Sequence, residues 1–188
     1  MDLQTLAFFG GLVALASHFF LIHGVWKGTL HLNIATWILW SVIDASVLFS
    51  SLAAGASAPF LSAGFVVGAV LVTITLFGRG VWRWGMLETS CAVLALACLG
   101  LWYIAGPLVS LISLTIGKYG IAGIPSVVAA YKNPERTQGW IWLMGTFGAA
   151  TNIFTIGSWT LADSFFPTIA LVFTMLIGLI HLLRRDEH

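Results

Sequence analysis

Asp44 and Lys118 are the residues in this chain that packing accounts for least. Each stands about ten residues inside a continuous apolar stretch. At roughly 1.5 Å rise per residue in a helix, that depth places both near the middle of a bilayer. Ionisable side chains there are costly, so they default to functional candidates. A carboxylate facing an ammonium could bind substrate or proton, or could lock two halves of a bundle as a structural pair. Both readings stand, because a buried pair is weak evidence for a role in stability.

Asn152 is a third candidate, since its amide both donates and accepts. A plain interhelical hydrogen bond is its alternative role. Trp37, Trp40, Trp140 and Trp142 stand at the starts of two apolar stretches. They read as an interfacial aromatic belt or as stacking walls for a substrate, one pair in each half. Pro125 predicts a kink that could act as a hinge. Gly117, Gly120 and Gly123, at three-residue spacing, predict a surface for close helix contact. Glu88 is expected to reach the surface near Arg83.

The elements that must position these residues are apolar spans. Cut at its breaks, the chain gives them at about 4–26, 34–54, 59–78, 85–105, 108–130, 138–158 and 164–183. The chain is 59% hydrophobic and 8% charged, with a mean hydropathy of +0.99. A spanning helix needs about 20 apolar residues, and a helix satisfies its own backbone in lipid. The prediction is an all-α integral membrane protein of seven transmembrane helices in one membrane domain. The first span has no basic flank and no convincing cleavage site, so it is expected to be retained. Basic residues mark alternate connections: Lys27, then Arg79 and Arg83, then Lys132 and Arg136, then Arg184 and Arg185. The positive-inside rule then places the N-terminus outside and the C-terminus in the cytoplasm of a plasma or inner membrane. The net charge of +1 gives no sign of nucleic acid. Connections are too short to hold a soluble catalytic domain, so no enzyme is expected. Cys91 and Cys98, seven residues apart on one span, read as packing residues and not as a metal or disulfide site.

Two stretches resemble each other. One runs from His18–Ile22 through Val25-Trp26-Lys27 to Thr36–Trp40; the other runs from Gly123–Val127 through Ala130-Tyr131-Lys132 to Gln138–Trp142. They imply parallel three-helix repeats at 4–78 and 108–183, with 85–105 as a linker helix that restores direction. With Pro125-Ser126, Tyr131-Lys132 and Trp140, the second repeat resembles the PQ-loop and SWEET-like transporters. Pro-Ser stands where the namesake Pro-Gln would be, and the first repeat has Phe20-Leu21 there. The third and seventh spans lack the Asn of sugar-transporting members. The resemblance covers about 35 residues per half and implies a three-one-three helical transporter, without implying sugar.

The reading is therefore a transporter moving a small polar metabolite by alternating access, with proton linkage an option. Asp44, Lys118 and Asn152 would contact substrate, the four Trp would wall the path, and Pro125 would let it bend. Its partners would be the bilayer and a small-molecule substrate, with no cofactor or metal. A homo-oligomer is compatible with it. The alternative is an accessory subunit of a larger membrane complex, marked by a buried Asp44–Lys118 pair in a closed bundle without a cavity. Two lesser readings are retinal on Lys118 with Asp44 as counter-ion, and haem held by pairs among His18, His23, His31 and His181.

Overall fold

Helix starts follow their caps. Asp2 accepts the Thr5 amide at 2.7 Å and opens α1, Leu3–Trp26. Asn33 accepts the Ala35 amide at 3.2 Å and opens α2, Ile34–Ala53. α3, Phe60–Leu76, follows Pro59. α4, Met86–Ala105, begins where the Glu88 carboxylate accepts the Gly85 amide at 2.9 Å. α5, Pro107–Ile116, has its proline in the first turn, where the missing N–H has no helical partner to lose. A π-helical turn, Gly117–Ala122, leads to α6, Ile124–Lys132. α7 is Arg136–Phe154 and α8 is Leu161–Leu183.

The structure is a computed structural model that describes residues 2–132, 134 and 136–184, without the side chains of Leu87, Pro125, Ala129, Arg136 and Thr137. Arg185, named above in the tail, lies outside the described residues. The described residues are all-α, apart from one isolated bridge between Asn33 and Val81. Leu3–Trp26, Ile34–Ala53, Glu88–Ala105, Pro107–Lys132 and Leu161–Leu183 are long and apolar enough to cross a membrane. α3 is apolar but shorter, at 17 residues. α7 has 19 residues and carries more small and polar ones.

The fifth apolar span departs from expectation. It is not a continuous helix bent at Pro125. The ladder already widens at Gly117–Ala122 and restarts after Gly123, so Pro125 is the second residue of a fresh helix. A proline there costs little, because the first-turn N–H groups of a helix are unpaired anyway. The glycines make room for the wide turn. A side chain on Gly117 would meet Leu94 of α4, and one on Gly123 would meet Phe173 of α8. Gly120, by contrast, faces open space, with only Ile116 near it at 3.9 Å.

α3 packs between α1 and α2, and α8 packs against α5, α6 and α7. The two groups meet through α1 against α7 and α2 against α5, and α4 covers α2, α5 and the π turn. α1 is held by backbone contact on two sides. A Cβ on Gly10 would stand 2.9 Å from the Gly148 carbonyl oxygen of α7, and one on Gly11 would collide with the Phe60 carbonyl in α3. The core between the groups is filled by Ile43, Val47, Leu61, Leu111, Leu114 and Ile177, all essentially inaccessible. Cys91 and Cys98 are buried free thiols in this core. The outer surface bears Phe8, Phe19, Phe49, Ile74, Leu96 and Val172, an apolar exterior suited to lipid.

Candidate functional site

α2 carries Asp44 and the π turn carries Lys118, and the packing of α2 against the fifth span brings them together. The Lys118 ammonium donates to Asp44 Oδ1 in an ion pair. Lys118 is 1% exposed and Asp44 2%, so the pair is sealed from the outer surface of the bundle. The depths counted along the two stretches thus correspond to real proximity. The ammonium is also ringed by aromatic faces: Phe65, Tyr119, Trp40 and Phe166 have centroids 4.9, 5.0, 5.1 and 5.5 Å from Nζ.

A cavity of about 260 Å³ ends on this pair. Its walls come from the C-terminal half of α1, the first half of α2, Phe65 of α3, Tyr119 of the π turn, the starts of α6 and α7, and Thr174 of α8. Leu32 and Gln138, next to the basic connections, mark its other limit, so it leads from the pair to the end of the bundle that holds Lys27 and Lys132. That end is tied together in two places. The Arg79 guanidinium stacks on Trp26, 4.8 Å from the ring centroid, and the Arg184 guanidinium covers Tyr131 at 3.4 Å.

Trp37, Trp40 and Trp142 line the cavity. Trp140 does not; it is 56% exposed on the outside of α7. Two residues along a helix turn a side chain through about 200°, so Trp140 and Trp142 cannot share a face. Asn152 is also away from the pair. It stands near the end of α7, where its amide donates to the Ala58 carbonyl at 3.3 Å, and it lines a small separate cavity of about 20 Å³ with Asp163 and Phe166. Phe166 lines the small cavity and Phe65 the larger one, and their rings pack edge-on at 6.2 Å. The far end is fastened where Asp163 Oδ1 accepts the Ser57 amide at 2.7 Å and its hydroxyl at 2.8 Å.

Glu88 corrects another expectation. It is buried, and its carboxylate takes hydrogen bonds from Thr36 at 2.7 Å, Asn33 at 2.8 Å and the Gly85 amide. Asn33 meanwhile donates to the Arg83 carbonyl at 2.8 Å and accepts its amide at 3.0 Å. The arrangement clamps the α3–α4 connection to the start of α2. Arg83 takes part in it through its backbone.

His18 is the cavity residue whose role the sequence disguised. Its ring fits against Gly68, packs edge-on to Phe65 at 5.9 Å and Trp37 at 6.1 Å, and holds Nδ1 2.9 Å from the Ala14 carbonyl. A carbonyl oxygen can only accept, so Nδ1 carries the proton of that bond. A lone His in an apolar span had suggested a haem ligand or a helix residue; its placement within the first span was the available signal. Tyr119 adjoins Lys118 in sequence and could have been found that way. Phe65 and Phe166 carry no signal, because an apolar helix is full of such residues. Among the described residues no group of three or more His, Cys, Asp and Glu is close enough to hold a metal.

No family model matches this chain, and neither a curated protein nor a solved structure shows a significant match to it.

Proposed function

We propose that the protein is a membrane transporter that moves a small polar metabolite by alternating access, with the Asp44–Lys118 pair at the bottom of its substrate path. One observation carries this: a cavity reaches from one end of the bundle to a buried ion pair and stops there. At about 260 Å³ it is slightly below the ~300–1,000 Å³ usual for small-molecule sites, and it has their composition of apolar walls with few polar groups. A packing subunit has no use for such a space. The pattern of helix contacts supports seven spans in two parallel repeats around a linker helix. Exchanging α1 with α5 and α2 with α7 turns the α1–α7 contact into the α5–α2 contact, as a two-fold axis along the membrane normal would. This is also the arrangement that the PQ-loop and SWEET-like resemblance implies.

On this reading the basic end is cytoplasmic, the N-terminus is outside, and the cavity is the inward-facing state. Asp44 and Lys118 bind substrate or proton, and Trp37, Trp40 and Trp142 wall the path. Trp140 serves the interface. Asn152 waits beyond Phe166, on the part of the path that opens to the outside. The bend comes from the π turn and Gly123, just before Pro125.

The test is a thermal-shift screen of the detergent-purified protein against small metabolites, followed by uptake of any hit into proteoliposomes. Saturable uptake that Asp44→Asn abolishes while the protein still inserts supports the reading. Uptake unchanged in Asp44→Asn removes that carboxylate from the mechanism. Finding no ligand and no uptake favours the accessory-subunit alternative.

A further inference from the structure

The shell around Lys118 Nζ is a receptor for a cation. Four ring centroids stand between 4.9 and 5.5 Å from it, and one carboxylate completes the surround. Ring faces carry partial negative charge, so they attract an ammonium group and repel a carboxylate. Phe65, Trp40 and Tyr119 also line the cavity, as do Asp44 and Lys118 themselves. A ligand that reaches the blind end therefore meets this shell. An anion would have to replace Asp44 beside the ammonium while facing the same rings. A cation only has to exchange with Lys118, like charge for like.

We propose that the cavity takes a small organic ammonium compound, whose charged head displaces the Lys118 ammonium from Asp44 and its aromatic shell. This rests on the reading of the cavity as a substrate site, and it names the substrate class. The space fits: about 260 Å³ corresponds to roughly nine water-sized groups at ~30 Å³ each. The wall fits as well, because it is largely apolar and aromatic, with His18, Ser17 and Thr36 among its few polar residues. Lys118 then acts as a tethered competitor. It neutralises Asp44 whenever the site is empty, so the unloaded protein never buries a lone charge. Its position in a π-helical turn agrees with that role, since such turns recur at functional sites.

The test uses propylammonium and propionate as probes of the purified protein, at matched ionic strength, read by tryptophan fluorescence and thermal shift. Propylammonium should bind saturably, and at least tenfold more tightly than propionate. Lys118→Met removes the competitor and should tighten propylammonium at least tenfold. The Asp44→Asn/Lys118→Met double variant, which leaves no lone buried charge, should lose that binding. Saturation by propionate in place of propylammonium overturns the proposal. So does a Lys118→Met protein that binds propylammonium no better than the natural one. Counterflow in proteoliposomes separates this from the transport reading. Propylammonium binding without counterflow supports the ammonium site and sinks transport. Uptake of a neutral or anionic metabolite with no propylammonium binding sinks the ammonium site and keeps transport.

Discussion

The imidazole of His18 occupies the space that a side chain at Gly68 would fill: a Cβ built there would fall against the ring's Cγ and Nδ1. Gly68→Ala should therefore push His18 off the α3 wall and into the cavity. Overpacking of this kind costs about 1–3 kcal/mol. The expected result is a lower melting temperature together with weaker ligand binding. Gly68→Ala with natural stability and binding would show that the ring has another place to go.

The ion pair makes a prediction about single and double variants. Asp44→Asn or Lys118→Met alone leaves one buried charge without its partner, which costs about 3–5 kcal/mol. The double variant removes both charges and should recover most of that loss. Chemical unfolding in detergent measures the three proteins. Additive losses in the double variant would mean that each side chain is held by something other than its partner.

Glu88 gathers hydrogen bonds from Thr36, Asn33 and the Gly85 amide in a buried spot. Glu88→Ala leaves those donors unsatisfied, at about 1–3 kcal/mol. The segment 77–86 should then exchange its amide hydrogens faster, while α7 and α8 keep their protection. Uniform exchange across the bundle would refute a local clamp.

Two glycines give opposite expectations for the same change. Gly11→Ala drives a Cβ into the Phe60 carbonyl on a neighbouring backbone that cannot move aside, so it should lower the melting temperature markedly. Gly100 in α4 has nothing within 4 Å of its would-be Cβ. Gly100→Ala should be neutral or stabilising by about 0.5–1 kcal/mol, the ordinary helix preference of alanine. Thermal melts of the two variants, side by side, decide it.

The helices were legible in the sequence because continuous apolar runs have few other uses; the limits of the runs fell within a few residues of helix ends, and five of the seven are long and apolar enough to cross a membrane. Depth was legible too, since counting along two runs placed Asp44 and Lys118 at the same level. What counting could not reveal was rotation and local winding. Trp140 points out while Trp142 points in, a consequence of the angle between positions that only matters once the inner face of α7 is known. The sixth span is expected to run to 158, but α7 ends at Phe154, so Asn152 is two residues from its end and belongs to the far side. The π turn depends on Leu94 and Phe173 arriving from α4 and α8, and no local pattern announces that. The aromatic shell was hidden for the same reason: its rings come from α2, α3, the π turn and α8.

The burial of Cys91 and Cys98, at 3% and 1% exposure, has a practical side. A water-soluble maleimide applied to sealed vesicles finds no accessible thiol in the natural chain, which is a silent background for labelling. A single cysteine at Lys132, exposed at the basic end, or at Ser158, exposed at the other, becomes the sole reporter of which face of the membrane it meets. The sidedness inferred from a handful of Lys and Arg can thus be read chemically, without first rebuilding the protein to remove its own sulfur.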